Sequence, residues 1–409
     1  MALCEAEKTF VLHGVEENFR IDGREREDYR PMELETDIVS HAFGSARLRL
    51  ANTDVLVAVK IEVDTPFPER PFEGKLEFFV DCSANATPDF EGRGGEGVAI
   101  EISNTLSAAY SSPNVFDLKK LCILKGKKCW KVYVDILLLE CGGNLFDAVS
   151  LAVKAALWNT QVPLVKQIDI DGNNVEIKVS EELYDCRKLD VEKAPILVTV
   201  CKIGEHCIVD PNVAEEQCSV GSVVVAVSED KFSTILQTGT GSLHMSTLVD
   251  CLQLGIKVAQ RLDAALWDTL TLECYTCSTT EDESDTTCLD NPSGVVGGVT
   301  DCDKKYCIIV RVDYKDPRGK LASILRSCVD KPTYTNDVIE DETHRVYYRS
   351  CRTAKCNGGS GRSDSTSDDN GSLGDKSTIY CPGIGDGAVA VTVSFSILLF
   401  AYAFVRYVR

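Results

Sequence analysis

The chain is short of positive charge. Lys and Arg number 43 against 63 Asp and Glu, a formal net charge of −20 over 409 residues. Residues 1–271 hold 27 against 43, net −16, and the remainder 16 against 20. A body this acidic repels phosphate backbones at long range, which excludes an autonomous nucleic-acid binder. Any handling of RNA then falls to neighbouring subunits or to a local basic patch. Histidine is scarce as well: His13, His41, His206 and His244 are dispersed, with no Cys or carboxylate at ligand spacing. Cys201, Cys207 and Cys218 match no usual zinc spacing either, so no metal and no cofactor is expected. The opening MALCEAEKTFVLHGVEENFR lacks a basic stretch followed by an apolar run, so the expectation is a cytosolic start without a signal peptide. The longest charge-free apolar run comes only at Ala388–Val405, 18 residues closed by Arg406 and Arg409. It reads as a marginal transmembrane span or a lipid-anchor signal.

What is present divides the chain in two. A hydrophobic fraction of 44% suits folded cores, and the length allows two or three domains. Ten cysteines are scattered before residue 272, with Cys141, Cys201 and Cys207 inside apolar strand patterns, the habit of reduced thiols. The other nine crowd between Cys274 and Cys381. That density belongs to an oxidising compartment, where small domains with thin cores need covalent staples.

Hydrophobic periodicity supplies the elements. Ala46–Leu50 and Val55–Val63 read as a hairpin around the polar turn 51–54, and Leu76–Val80 as a further strand. Val98–Tyr110 follows a Gly-rich loop with Ile102, Leu106 and Ala109 at helical spacing. Lys131–Glu140 is apolar on both faces and turns at Cys141-Gly142-Gly143-Asn144 into a helix carrying Val149, Val153, Ala156 and Leu157. Further strands are expected at Ile196–Ile203, Val223–Val227 and Phe232–Gln237, then a helix from Ser246 to Trp267. Strand then helix, twice, predicts a layered α/β domain. From Leu272 the texture changes to Cys, Thr, Ser, Asp and Gly with short strands, and residues 357–378 form a polar Gly/Ser/Asp tract, a solvated linker by composition.

Five strings in the first part, Ile21–Pro31 (IDGREREDYRP), Phe43–Val63, Glu73–Gly95, Val132–Leu157 and Leu197–Ser219, resemble the RNase PH family and, within it, the ring subunits of the RNA exosome. Each string alone is weak, since Asp-Gly-Arg is a turn and Phe-Glu-Gly-Arg-Gly-Gly is more often a mobile loop than a phosphate cradle. Their shared order and spacing carries the likeness. The resemblance implies an RNase PH-like two-layer α/β domain over residues 1–271 that packs beside other RNase PH-type subunits, with RNA passing through the assembled ring. Active members hold phosphate with arginines in a stretch reading roughly Ile-Gly-Arg-Ser-Leu-Arg, here Ile102-Ser103-Asn104-Thr105-Leu106-Ser107. Their acidic stretch corresponds to Ala214–Ser222, where Glu215 and Glu216 remain but Val220 and Ser222 stand in place of carboxylates. The implied protein is a non-catalytic exosome subunit, not an enzyme, that supports rRNA maturation and mRNA turnover in the nucleus, nucleolus and cytoplasm. Candidate RNA contacts are Arg93 and the run Lys125, Lys127 and Lys128, against the blander reading of a solvated turn.

In the second part, the opening Cys274-x2-Cys277, then Cys288, Cys302, Cys307 and Cys328, and the closing Cys351-x4-Cys356-Asn357 resemble the Ly6/uPAR three-finger family. Eight cysteines allow 105 pairings by spacing alone. The resemblance implies Cys274–Cys307, Cys277–Cys288, Cys302–Cys328 and Cys351–Cys356, a small disulfide-rich all-β domain over 272–357, and a less restrained Val329–Ser350 loop. Beyond it come a polar linker at 358–387 and the hydrophobic segment at 388–405. Asn370 is a candidate glycan or lipid-anchor position. The alternative function is therefore a membrane-anchored cell-surface binding protein. A reduced ring subunit and a disulfide module demand incompatible compartments, so the expectation is that the sequence joins two neighbouring genes between Trp267 and Leu272.

Overall fold

The computed structural model describes residues 3–362, except 172–173, 180–185, 240, 271, 281–286, 296, 303–305, 318–319, 330–331, 333, 335–336 and 352–354, together with 377–379. Asn370, Cys381 and the segment 388–405 lie outside the described residues. Among those described, no helix is long and apolar enough to cross a membrane.

Helix α1 (Glu5–Glu16) starts in a capping box between Cys4 and Glu7 and buries Val11 and Val15. Strands β1 (Met32–Thr36), β2 (Gly44–Leu50), β3 (Thr53–Asp64) and β4 (Lys75–Cys82) lead to α2 (Glu96–Ala109). Then come β5 (Cys122–Leu124), β6 (Lys128–Glu140) and α3 (Leu145–Trp158). The sheet runs β1-β2-β3-β6-β4, with β5 paired to β6. All pairs are antiparallel except β4 with β6, which are parallel because α2 crosses between them. Period-two alternation puts Leu48, Leu50, Val55, Val57, Val132, Val134 and Ile136 on one buried face.

The second half of this body adds four short strands, β7 (Gln161–Pro163), β8 (Val165–Asp171), β9 (Asn174–Val179) and β10 (Cys186–Lys188), pairing β7 with β10 and β8 with β9. A second antiparallel sheet, ordered β12-β11-β13-β14, is built from β11 (Ile196–Ile203), β12 (His206–Val209), β13 (Gly221–Ser228) and β14 (Lys231–Thr238). Helix α4 (Val213–Cys218) interrupts it and α5 (Met245–Leu270) closes it. Helix α3 touches β2 and β3 of the first sheet and β11 of the second, and its residues Ala148–Leu157 are all buried. A helix buried on every side belongs between two layers, and here it fuses both sheets into one core.

The last part is stapled rather than packed. Strand β15 (Leu272–Tyr275) begins one residue after α5 ends and pairs with β17 (Val299–Cys302). Strands β16 (Cys277–Thr280), β18 (Tyr306–Tyr314), β19 (Leu321–Val329), β20 (Val338–Glu340) and β21 (His344–Cys351) form a sheet ordered β16-β19-β18-β21-β20, with α6 (Thr287–Asp290) beside it. Disulfides join Cys274–Cys307, Cys277–Cys288, Cys302–Cys328 and Cys351–Cys356. Buried sulfur takes the place of an apolar core around Cys274, Cys302 and Cys307. Fully buried Asn357 accepts the Tyr275 N–H at 2.9 Å and donates to the carbonyls of Tyr275 and Ile308, locking the end of the module to its first strand. Within the Val329–Ser350 stretch, expected to be less restrained for want of a disulfide, the described residues include β20 and most of β21, and β21 pairs with β18. Strand β22 (Ser377–Ile379) lies antiparallel to β1.

Candidate functional site

A buried charge network sits where the first sheet, α3 and the second sheet meet. Arg20, 1% exposed, donates its Nε to Glu215 at 2.8 Å and a terminal nitrogen to the other Glu215 oxygen. It also donates to the carbonyls of Val209 at 3.0 Å and Asp210 at 2.8 Å. Arg30 clasps Asp210 through two nitrogens at 2.9 and 2.8 Å and donates to the carbonyls of Gly142 and Gly143. Arg24 adds a second guanidinium on the Asp210 carboxylate at 2.9 Å. Burial works to raise the Asp210 carboxyl, but the Arg30 hydrogen bonds and the charges of Arg30 and Arg24 outweigh it, so Asp210 stays below the usual carboxylate range.

Asn144 links this network to the rest of the site. It adopts a left-handed φ of 55° at the start of α3, donates its side-chain amide to Asp147 and Asp210, and donates its backbone N–H to Glu216 at 2.7 Å. Asp147 is fully buried and also accepts from Tyr29 at 2.6 Å and Thr199 at 2.7 Å. Desolvation pushes its carboxyl up to about 6 despite those donors. Burial likewise raises Glu216. Gly143, at φ 94°, is required in the same turn, since a Cβ there would stand 2.8 Å from the backbone of Pro211 and Asn212.

Both carboxylates read from the sequence as remnants of an acidic stretch are engaged in hydrogen bonds within the fold. Glu215 completes a capping box with Asn212 at the start of α4 while it holds Arg20, and Glu216 anchors the α3 turn. Val220 is 48% exposed, and the Ser222 hydroxyl lies 2.8 Å from the Cys201 sulfur. On α2, Ile102, Thr105 and Leu106 face the core. The Ser103 and Ser107 hydroxyls donate to backbone carbonyls of Phe78 and Ser103, and Asn104 is exposed. Helix α2 carries no basic residue.

The candidate RNA contacts are not brought together. Lys125, Lys127 and Lys128 are exposed around the β5–β6 turn, with Gly126 at φ 68° and its N–H on the Pro71 carbonyl at 2.8 Å. Lys125 Nζ stands 4.1 Å above the Phe72 ring, and Lys75 4.3 Å above Phe67. Arg93 lies in the loop after β4, its side chain 89% exposed and paired with Glu96 at 3.4 Å. Since β4 and β6 run parallel from Lys75 opposite Lys131 to Cys82 opposite Leu138, the two groups flank opposite ends of the sheet, roughly 23 Å apart along the strands. The buried network of Arg20, Arg30, Asp147 and Asp210 escaped sequence reading because its partners are far apart in the chain. The local sign was the cluster of arginines at 20–30 in an otherwise acidic body.

Cys141 falls just past the end of β6 rather than inside a strand, and it and Cys207 are half-buried. Among the described residues, the Cys274, Cys302 and Cys328 sulfurs lie within 4.8 Å of one another, but all three are tied in disulfides.

Residues 28–163 match the first domain of the 3′ exoribonuclease family, RNase PH, and residues 193–258 its second domain. The putative exosome complex exonuclease RRP42 of Dictyostelium discoideum is 32% identical, over 64% of this chain and 98% of its own length. The chain belongs to the RNase PH family. Exosome complex component Rrp42 of Methanopyrus kandleri is similarly related, 36% identical over 64% of this chain and 95% of its own. Among solved structures, an archaeal exosome core matches with a TM-score of 0.54 and 27% identity, covering 64% of this chain and 96% of its own. An Archaeoglobus fulgidus exosome with RNA bound to the active site matches at the same TM-score and 28% identity, with 64% and 97% coverage. The chain is thus similar to Rrp42-type exosome subunits over its first two thirds, and a β-rich, disulfide-stapled region follows.

Proposed function

We propose that residues 1–271 form a non-catalytic subunit of an RNA exosome ring. It sits beside other RNase PH-type subunits and supports 3′-to-5′ RNA processing, including rRNA maturation and mRNA turnover, while a separate nuclease cuts. The observation that carries this reading is the engagement of Glu215 by Arg20 and of Glu216 by Asn144, together with a helix α2 that has no basic residue. Phosphorolysis needs guanidinium groups to hold phosphate and free carboxylates to organise a metal. RNA reaches this subunit through the assembled ring, because a net −16 surface does not recruit phosphate backbones by itself. Lys125, Lys127 and Lys128 at one end of the sheet, and Arg93 at the other, are the contacts it offers. The corresponding locations are the nucleus, nucleolus and cytoplasm. Co-expression of the full chain with RNase PH-type subunits tests the assignment: native mass spectrometry is expected to find it in a six-membered ring, and a chain that stays alone rejects the reading.

Four disulfides favour a second reading for residues 272–409, a membrane-anchored cell-surface binding protein of three-finger type. Its anchor is a lipid attached near Asn370 or the apolar segment 388–405. Release from cells by a phosphatidylinositol-specific phospholipase separates these two anchors. The conflict of compartments supports the joining of two genes, and peptides spanning residues 260–280 from a cellular full-length protein would refute it.

A further inference from the structure

Ten described cysteines lie outside the disulfides, and two of them touch. Cys207, on β12, faces Cys251, in the second turn of α5, with their sulfurs 3.5 Å apart. That is van der Waals contact between sulfurs, about 1.5 Å beyond the length of an S–S bond. Cys251 is fully buried, whereas Cys207 is half-buried and lies opposite Lys202 in the β11–β12 register. Lys202 reaches Thr247 on α5 at 3.4 Å, which places its ammonium over the same seam. Asp250 is the opposing charge nearby.

We infer that Cys207 and Cys251 form an oxidation-sensitive dithiol, a modification site in which a peroxide converts the pair to a disulfide that clamps α5 onto the β11–β12 hairpin. Cys207 is the attacking sulfur, because it is the accessible one and has the Lys202 ammonium across the strand. The thiol of Cys251 donates toward it, and this hydrogen bond, aided by Lys202, holds the Cys207 thiol below its ordinary range against the effect of burial. Its thiolate attacks one peroxide oxygen, the O–O bond breaks, and hydroxide leaves to become water, giving a sulfenic acid at Cys207. The Cys251 sulfur then attacks the Cys207 sulfur, the S–O bond breaks, and the second oxygen leaves as water with the Cys251 proton. Two thiols and one hydrogen peroxide thus give one disulfide and two waters. The closed loop spans 44 residues and includes α4, so oxidation braces the segment carrying Glu215 and Glu216.

The test uses the folded full-length chain, treated with hydrogen peroxide, then unfolded in denaturant containing N-ethylmaleimide so that every remaining thiol is blocked, and mapped by mass spectrometry. The expected result is a Cys207–Cys251 cross-linked peptide, loss of alkylation at those two positions, and reversal by dithiothreitol. In Cys251→Ser the expected result is a sulfenic acid at Cys207 that dimedone traps. Phenylarsine oxide, which bridges close dithiols, is expected to protect both positions in the wild-type chain, a readout that needs no variant to fold. Overturning results are alkylation of both cysteines after peroxide without a cross-link, or failure of the arsenical to protect them.

Discussion

Removing the Arg20 guanidinium strands the Glu215 carboxylate where the two side chains are 0% and 1% exposed. Arg20→Ala is therefore expected to cost about 3–5 kcal/mol, read as a fall in the urea midpoint, because it leaves an uncompensated buried charge. The double variant Arg20→Met with Glu215→Leu removes both charges and is expected to recover most of that loss. A full loss that persists in the double variant would show that the ion pair is not what holds α4. Asp147 gives a pH signature. Its folded carboxyl at about 6 lies above the 3.8 of an ordinary aspartate, so its contribution is largest below about pH 4 and is lost as pH rises through about 6. Wild-type stability relative to Asp147→Asn is expected to fall by about 3 kcal/mol between pH 4 and 7. A flat difference would mean the carboxyl titrates normally. Arg24 and Arg30 were visible in the sequence only within a turn-like string, and Arg20 lies just ahead of it. Their acceptors lie up to 195 residues away, a pairing that no local pattern encodes.

At the scale of elements, periodicity made the large pieces readable. The hairpin β2–β3, strands β4, β6, β11, β13 and β14, and helices α2, α3 and α5 fall where alternation or helical spacing placed them, with ends shifted by a few residues. The short elements were not readable: α4 is six residues long and held by its capping box and Arg20, so it carries too few apolar positions to show a period. The parallel pairing of β4 with β6 was also hidden, since it depends on the α2 crossover rather than on either strand. At the turn into α3, Gly143→Ala is expected to lower the melting temperature and stability by about 1–3 kcal/mol, because the left-handed backbone and the 2.8 Å approach to Asn212 leave no room for a methyl. At the β5–β6 turn, Lys127→Glu with Lys128→Glu is expected to leave the melting temperature unchanged, since both side chains are exposed. In an assembled ring the same change is expected to weaken RNA retention and reduce the salt slope by about 1–2. An unaltered slope removes this turn from the RNA path.

Across the whole molecule, two ways of holding a fold meet at a single residue. The RNase PH body buries one continuous apolar core that spans both sheets, and Cys207 and Cys251 within it lie outside the disulfides. The stapled region beyond Leu272 has small sulfur-rich clusters in place of such a core. Composition made that division visible, since cysteine density and charge both change near residue 272, and the structure adds that α5 continues into β15 with one residue between them. The acidic body suits a wall within an assembly better than a solitary RNA binder. As proposed, the fold keeps the RNase PH frame without the chemistry. The direct measurement is phosphate-dependent release of nucleoside diphosphates from single-stranded RNA by a ring reconstituted from this chain and RNase PH-type partners whose own phosphate-binding arginines have been replaced. No release is predicted; nucleotides released in proportion to added phosphate would contradict the account.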